Sequence, residues 1–385
     1  MKKTLFMAVA LLIGTGVSAQ KKAGQNLPEV DVTQTKQFAP ITVSEHATVE
    51  YIPLETTVDF LLDGVAGALI NVTDSYIVTV NNQEGRIFVF SRTGKALHAF
   101  SHKGEGPEDF IYPYAVRVDD KSKEIFVLDP KKVQVYSLNG KYKRSLNLPE
   151  NISIRTMFNY DDKHLIGYDN YNLDRPDEKV TEQPFFLLSK KDGKITRIPL
   201  NIPNRIGDRI YAVEDGKKMV FTMPNIAAMV KNGNEVVLSD LGSDVIYLYK
   251  KGKVTPLLKR NPGTMDFTPR SAMGVVMKLG DILWLRETKK EIKGTRPNIN
   301  MLTYDLGTGE VNNLVVLDDV NFTYPYSVQS RNERQELPYN CTSANFQPDR
   351  LKQMNEQGRL KGRLKELAEE MQEDDNPLLI LYKFK

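Results

Sequence analysis

The feature that most constrains the fold of this chain is a short hairpin that recurs five times along it. Each copy consists of an apolar or alternating strand, a turn with glycine beside a charged residue, and a second strand. The turns lie at residues 93–95, 139–141, 192–194, 251–253 and 308–310. Tight antiparallel hairpins need positive φ, which glycine adopts without steric cost. Five such hairpins with strands of matching type predict an all-β fold of repeated sheets, a β-propeller.

A sixth copy of the hairpin is divided between the two ends of the sequence. Residues 378–384 have the apolar character of the first strand in each pair, and residues 49–54 resemble a second strand that lacks a preceding partner. We therefore expect the N-terminal strand to complete the last blade, closing a ring of six four-stranded blades over residues 47–385. Closure removes an exposed sheet edge with which other chains could pair.

One segment near the end departs from strand periodicity. Leu360, Leu364, Leu367 and Met371 recur at helical spacing and form one apolar stripe. The sequence therefore predicts a helical insertion in the last blade, within about residues 343–376. Such a helix would cover one blade or rim, or alternatively bind a partner.

The first residues have the composition of a secretory signal. Two lysines precede the apolar residues 5–16, and small residues up to Ala19 offer a cleavage site. The apolar stretch is shorter than the roughly 20 residues that span a bilayer. The sequence thus predicts a signal peptide at residues 1–19 and a flexible lead-in at residues 20–46.

The only cysteine in the sequence is Cys341. An internal disulfide is therefore excluded, and packing must stabilise the fold. Because no cysteine lies at the predicted cleavage point, we expect no lipid anchor there. The expected location is outside the cytoplasm, as a soluble periplasmic or secreted protein.

Three stretches resemble a known family. Residues 104–110, which follow the first hairpin, resemble a passage of the exported six-bladed β-propellers of Bacteroidetes, which are similar in shape to NHL-repeat and TolB-type propellers. The acidic residues fall at Glu108 and Asp109, a slight departure from that passage. Residues 51–56 look like the family's opening strand, and residues 373–385 look like its closing one. The resemblance covers essentially all of the predicted mature chain; it implies the propeller fold and carries over no catalytic residue.

Charge and motifs exclude several classes of function. The sequence has 52 basic and 49 acidic residues, and its basic spots at residues 250–253 and 359–365 lack interleaved aromatic residues, so no nucleic-acid partner is expected. The four histidines lack metal-ligand spacing, residues 104–107 lack the Lys-Ser/Thr of a phosphate loop, and no Gly-x-Ser-x-Gly elbow occurs. We therefore expect no cofactor, no metal, no catalytic residue and no transmembrane segment.

Propeller ligands usually meet the face with the loops that enter the inner strands and the loops that join second to third strands. Long loops of this kind supply tyrosines here, with arginines nearby, and such side chains suit glycans, peptides or acidic ligands. The predicted ligand-binding residues are Tyr112, Tyr114, Tyr326, Arg117, Arg155 and Arg270. The alternative for each of them is packing between blades.

Two functions remain open on the sequence alone. The favoured one is an exported, non-catalytic binding or scaffold propeller that recognises a glycan, peptide or partner protein on its loop-rich face. The alternative is a periplasmic propeller enzyme, either a metal-dependent lactonase or hydrolase or a saccharide lyase, acting at the channel mouth. Such an enzyme would need a convergent cluster of carboxylates, Asn or His in the channel, which the sequence does not show.

Overall fold

The computed structural model describes most of the chain after residue 26. The described ranges are 27–34, 37–62, 70–81, 83–171, 173, 180–214, 217–222, 227–293, 296–328 and 335–385. The predicted signal peptide and the first part of the lead-in lie outside them. Within these ranges the chain is mostly β-strand and turn, with three α-helices.

Sheets 1, 2 and 3 each contain four antiparallel strands in chain order. Sheet 1 consists of Ile70–Val72, Tyr76–Asn81, Arg86–Ser91 and Ala96–Ser101. Sheet 2 consists of Ala115–Asp119, Glu124–Asp129, Lys132–Ser137 and Tyr142–Asn147. Sheet 3 consists of Ile154–Asn159, His164–Asp169, Phe185–Ser189 and Ile195–Arg197. The first three predicted hairpins are confirmed as the pairs formed by the third and fourth strands of these sheets.

Sheets 4 and 5 contain the other two predicted hairpins, and each gains a fifth, parallel strand from the N-terminal segment. Sheet 4 consists of Met229–Asn232, Glu235–Leu238, Val245–Lys250 and Lys253–Asn261, with Glu29–Asp31 on its outer edge. Sheet 5 consists of Ser271–Leu279, Ile282–Lys293, Arg296–Asp305 and Val311–Asn313, with Gln37–Phe38 on its outer edge. The prediction of a flexible lead-in is therefore corrected for these residues, because the open edges of both sheets offer main-chain partners to an extended segment.

Sheets 6 and 7 combine the N-terminal segment with the last part of the chain. Sheet 6 consists of Tyr326–Ser327, Val316–Asp318 and Ile41–Thr42. Sheet 7 consists of Cys341–Phe346, Leu378–Phe384 and Ala47–Pro53. In sheet 7 Ile380 faces Tyr51 in antiparallel register. The predicted closure by the N-terminal strand is thus confirmed.

The described residues form seven sheets of three or more strands, so the predicted count of six blades is wrong. The sequence predicts a single second strand after the turn at residues 308–310. In the structure the outer strand of sheet 5 ends at Asn313. Val316–Asp318 begins a separate sheet, because Ile41–Thr42 pairs with one of its edges and the strand that starts at Tyr326 pairs with the other.

The hydrophobic cores lie between neighbouring sheets and close into a ring. Separate clusters of buried residues join sheets 1 and 2, sheets 2 and 3, sheets 3 and 4, and sheets 4 and 5. A larger cluster joins sheet 5 to sheets 6 and 7, and another joins sheet 7 back to sheet 1. This arrangement, in which each sheet packs on the next around an axis, is an all-β propeller.

The helices are Val43–His46, Pro348–Glu356 and Gly362–Glu370. The last two lie between the first two strands of sheet 7, where the sequence predicted a helical insertion. Leu364 and Leu367 are buried in the cluster of sheets 5 to 7, so this insertion covers the sheets. A hairpin of Arg209–Glu214 and Lys217–Thr222 was not predicted.

The turn glycines allow neighbouring sheets to approach closely. Gly94, in the turn of sheet 1, has a φ of +87°, and a β-carbon there would lie 2.1 Å from the carbonyl oxygen of Pro53 in sheet 7. A β-carbon at Gly140, in the turn of sheet 2, would lie 2.5 Å from the ring of Phe100 in sheet 1. Glycine is therefore needed at these turns both for the backbone conformation and for packing on the preceding sheet.

Candidate functional site

A polar cavity of about 990 Å³ opens where the turns between first and second strands of several sheets converge. Sheets 1 to 4 contribute residues 72–74, 118–120, 159–163 and 231–234, and the segment that leads into sheet 7 contributes residues 336–340. Because turns of sheets 1 to 4 and the segment before sheet 7 converge there, we place the cavity at the propeller axis. A cavity of about 990 Å³ lies within the usual size range of small-ligand sites.

The floor of the cavity is organised by the carboxylate of Glu336, which is buried. Its Oε2 lies 3.3 Å from Nε of Arg117, and its Oε1 lies 3.2 Å from Nζ of Lys231. The backbone and side-chain amides of Asn159 donate to the same carboxylate at 3.3 and 3.4 Å. The Glu336 carboxylate thus contacts cationic or amide groups of sheets 2, 3 and 4, which fix its position at the floor.

Backbone pairing places Glu336 at this position. Its N–H donates to the carbonyl of Ile70 at 3.1 Å, and its carbonyl accepts from the N–H of Val72 at 2.9 Å. The main chain of Glu336 therefore lies against the inner strand of sheet 1, while its side chain reaches the opposite sheets. One residue connects four sheets at the axis.

Arg117 lies beneath this floor and is fully buried in the inner strand of sheet 2. Its Nε donates to the carbonyl of Met157 at 2.5 Å, and a terminal nitrogen donates to the carbonyl of Val116 at 2.8 Å. The guanidinium also lies 5.0 Å from the centre of the Phe158 ring. These contacts hold Glu336 in place and leave Arg117 without a surface for direct ligand contact.

A second ion pair lies in the cavity wall, between Lys190 Nζ and Asp119 Oδ2 at 2.6 Å. The same ammonium donates to the carbonyl of Asp161 at 2.8 Å. Burial alone would raise the pKa of Asp119, but the hydrogen bond and charge of Lys190 outweigh it and lower that pKa below its ordinary value. Asp119 is therefore a stable anion that fixes Lys190, and it is poorly suited to proton transfer at neutral pH.

The rim of the cavity is exposed and carries charges of both signs. Asp74, Asp162, Lys163 and Lys383 lie there, together with the half-exposed ring of Tyr339. In the part of the chain that the structure describes, no group of three or more His, Cys, Asp or Glu residues is arranged to hold a metal ion. The arrangement can bind a polar ligand through hydrogen bonds and through the aromatic rings of Tyr160 and Tyr339, which both line the cavity.

The comparisons place the chain in a family. A family model described as "Domain of unknown function (DUF4934)" matches residues 27–383. The chain belongs to this family. The match spans all seven sheets, so the cavity and the two strands that close the ring are parts of the DUF4934 domain.

Two solved structures resemble this DUF4934 protein. One, named as an exported protein of Bacteroides fragilis NCTC 9343, has a TM-score of 0.61 and 17% sequence identity, and the match covers 94% of this chain and 100% of that one. The other, a member of the DUF4221 family from Bacteroides vulgatus ATCC 8482, has a TM-score of 0.45 and 11% identity, covering 88% and 98%. The first likeness supports the propeller fold. No curated protein matches the chain.

No helix in the described ranges is long and apolar enough to cross a membrane.

The structure brings only some of the sequence-predicted site residues together. Tyr112 and Tyr114 form a pair with ring centres 5.1 Å apart, just before the inner strand of sheet 2. Tyr326 stacks on Phe322 at 4.6 Å, and Arg270 is exposed just before the inner strand of sheet 5. Arg155 lies in the inner strand of sheet 3, but its side chain is outside the described part of the structure. Arg117 is the predicted residue that contacts the floor of the cavity, through Glu336.

Sequence reasoning missed Glu336, Lys231, Asn159 and Lys190. These residues are separated by long stretches of chain, and none belongs to a recognisable motif. One signal could have pointed to them: polar residues at the ends of predicted inner strands or in the turns that follow, such as Asn159 and Lys231, converge at the axis of any propeller.

Proposed function

We propose that this DUF4934 protein is a binding propeller that holds a polar glycan or peptide in its central cavity. The observation that supports the proposal is the cavity itself, which combines about 990 Å³ of space with a floor of fixed hydrogen-bonding groups. The carboxylates of Glu336 and Asp119 are already paired with cations, and such groups position a ligand rather than transfer protons. A non-catalytic role therefore fits the site better than hydrolysis.

The cavity and the predicted loop-rich face lie at opposite ends of the same strand. In sheet 2, Tyr112 and Tyr114 precede Ala115–Asp119, whereas Asp119 and Asp120 at its far end line the cavity. A strand of this length separates its ends by roughly 15 Å. The exposed tyrosine pair remains a proposed second surface, for a protein partner rather than for a small ligand.

Tyr339 offers a direct test, because it lines the cavity and is 50% exposed. Ligands identified by thermal-shift screening of glycans and peptides would be titrated calorimetrically into wild type, Tyr339→Ala and Tyr112→Ala. We expect Tyr339→Ala to weaken binding about tenfold or more, since an aromatic contact at the cavity rim is lost, and Tyr112→Ala to leave it unchanged. Weakened binding in Tyr112→Ala with no change in Tyr339→Ala would overturn the assignment to the cavity.

We propose further that the protein is exported and that a signal peptide is removed after Ala19. The composition of residues 1–19 supports this proposal, and so does the name of the similar B. fragilis protein. Cell fractionation with N-terminal mass spectrometry tests it. Mature protein that begins at Gln20 outside the cytoplasm is expected, and a product that retains Met1 would contradict the proposal.

A further inference from the structure

The lining of the cavity contains six acidic and four basic side chains, and they differ in whether the protein itself neutralises them. Lys190 pairs with Asp119 at 2.6 Å. Glu336 pairs with Lys231 at 3.2 Å and with Arg117, which lies beneath the floor, at 3.3 Å. A ligand that broke either arrangement would leave a largely buried charge uncompensated, so these groups are not free to bind one.

The turn of sheet 3 brings three more charges of the lining close together. Asp162 pairs with Lys121, which is exposed. The carboxylate of Asp161 accepts a hydrogen bond from Nδ1 of His164 at 3.0 Å. Lys163 follows both aspartates directly in the chain and is exposed. Because this turn presents charges of both signs side by side, it favours neither an anionic nor a cationic group of a ligand.

Sheets 1 and 2 contribute the remaining two carboxylates, those of Asp74 and Asp120. Oδ1 of Asp120 accepts from the hydroxyl of Thr73 at 2.6 Å, and its Oδ2 accepts from the N–H of Ser75 at 3.1 Å. Asp120 is partly exposed and Asp74 is exposed. Among the residues that the structure describes, neither aspartate forms an ion pair. Hydrogen bonds from sheet 1 therefore fix Asp120 in place, while its charge is available to a cationic group of a ligand.

Sheet 7, which packs on sheet 1, contributes the opposite charge. Lys383 lines the cavity, is exposed and forms no ion pair within the described ranges. The segment that leads into sheet 7 adds one acid to the lining, Glu336, which is buried and already paired. An anionic group is therefore favoured at Lys383, and a cationic group is favoured at the two aspartates of the neighbouring sheets. One ligand with a positive and a negative end can occupy both places.

The other groups of the lining suit a peptide. Tyr339 is half-exposed and Tyr160 is partly exposed, so both rings offer a surface to apolar side chains. The amide of Asn234 is exposed and has no hydrogen-bond partner in the described part of the chain. Such an amide both donates and accepts, as a peptide bond does. A cavity of about 990 Å³ is of the size that holds a molecule larger than one amino acid.

We propose that the cavity binds short peptides by their two free ends, an inference that rests on the proposed function above. The N-terminal ammonium group contacts Asp120 and Asp74, the C-terminal carboxylate contacts Lys383, and the residues between them pack on Tyr339. Capture of a peptide terminus by fixed groups is a recurring mode of peptide recognition. Peptides with two free ends are products of peptide-bond hydrolysis, so proteolysis is the class of reaction that supplies this ligand.

Tripeptides that differ only at their ends test the proposal on the full-length mature protein. Four pools of the same random tripeptides are compared: with both ends free, with the N-terminus acetylated, with the C-terminus amidated, and with both ends blocked. We expect the free pool to raise the Tm, since a ligand that binds the folded state stabilises it. Isothermal titration then measures the best peptide in its four forms. Blocking either end should weaken binding about tenfold or more, because a charge-assisted contact is lost.

Variants show which end of the peptide each charge recognises. Asp120→Asn should weaken the free peptide about tenfold and leave the affinity for its N-acetylated form unchanged. Asp74→Asn removes an exposed carboxylate and serves as the second variant if Asp120→Asn fails to fold. Lys383→Gln should weaken the free peptide and leave the affinity for its amidated form unchanged. Asp281→Asn is the matched control, because this exposed aspartate lies in the corresponding turn of sheet 5, outside the lining, and it should bind like wild type.

The outcomes separate this inference from the proposed function. If blocked tripeptides bind as tightly as free ones, or if the aspartate variants weaken free and N-acetylated forms equally, recognition of the ends is overturned. The cavity would remain the site as long as binding is weakened in Tyr339→Ala. If no tripeptide pool binds, the inference is overturned as well, and a glycan whose binding depends on Tyr339 would still support the proposed function. If neither peptides nor glycans depend on Tyr339, both proposals fail.

Discussion

The two ends of the inner strands differ in a way that decides where a ligand fits. At one end, long loops carry exposed rings, such as Tyr112 and Tyr114. At the other end, short turns converge and enclose a cavity whose floor is Glu336 with its cationic partners. The sequence analysis favoured the long loops as the ligand site. The short turns around the axis, however, form the concave surface that a small ligand needs.

The largest expected effect comes from deleting the last strand, because this strand closes the ring that holds both the loop-rich face and the cavity. Leu378–Phe384 pairs with Cys341–Phe346 on one side and with Ala47–Pro53 on the other. Deletion of residues 378–385 should abolish cooperative unfolding and make the protein sensitive to protease, because the ring is opened and buried strands are exposed. Calorimetry and limited proteolysis measure this. A truncated protein that melts like the full-length one would refute closure as a structural requirement.

The next prediction compares the stability lost on removing a buried carboxylate at the cavity end of the strands with the stability lost on removing one at the loop-rich end. Glu336→Ala leaves Arg117 and Lys231 without their counter-ion, and we expect a loss of about 3 to 5 kcal/mol in the free energy of unfolding. Asp129→Ala removes the acceptor for the N–H groups of Ile111 and Tyr112, both at 2.9 Å, and should cost about 1 to 3 kcal/mol. Denaturant titration measures both. Equal losses would contradict the special role of the Glu336 network.

A smaller expected effect is the pH dependence of stability that arises from Glu124, which follows the cavity-side turn of sheet 2. Burial would raise the pKa of Glu124, but hydrogen bonds from Arg144 and Lys143 lower it from 4.5 to about 2. Because the folded-state pKa is lowered, the stabilisation is fully present above pH 4.5 and is lost as the pH falls through about 2.

Glu124→Gln should therefore flatten the dependence of Tm on pH between 4.5 and about 2, relative to wild type. Glu105→Gln changes an exposed glutamate and serves as the matched control. Calorimetric scans across this pH range measure the slope. A Glu124→Gln protein that retains the wild-type slope would show that the ion pair does not form.

The smallest effect concerns exposed rings. Tyr339→Ala and Tyr324→Ala should each change the free energy of unfolding by less than about 0.5 kcal/mol, since both rings are half-exposed or more. Their ligand affinities should nevertheless differ, because only Tyr339 lines the cavity. A large loss of stability in Tyr339→Ala would mean that this ring packs the axis instead of contacting a ligand.

Much of the ring was predictable from the sequence because its signals are local. The five hairpins were predicted from glycine-containing turns, and Gly94, Gly140, Gly193, Gly252 and Gly309 all have positive φ. Closure was predictable because residues 49–54 have outer-strand character without a preceding partner.

The rest of the fold depends on pairings without a local pattern. Gln37–Phe38 and Ile41–Thr42 are too short to show alternation, and they form strands only because open sheet edges accept them. For this reason the extra sheet, and with it the correct number of sheets, could not be predicted. The cavity depends on Glu336 meeting Asn159, which lies 177 positions earlier in the chain. The sequence around either residue has no local pattern that predicts a contact between positions so far apart.

Tyrosine footprinting tests the central claim most directly, because exposed tyrosines lie both inside and outside the cavity. Tyr339 is 50% exposed in the cavity, Tyr112 and Tyr114 are each 39% exposed at the other end of the strands, and Tyr324 is 78% exposed. Iodination followed by mass spectrometry would be compared with and without a saturating ligand. Of these four tyrosines, we predict protection of Tyr339 alone. Protection of Tyr112 and Tyr114 with unchanged labelling of Tyr339 would contradict the account and place the ligand on the loop-rich face.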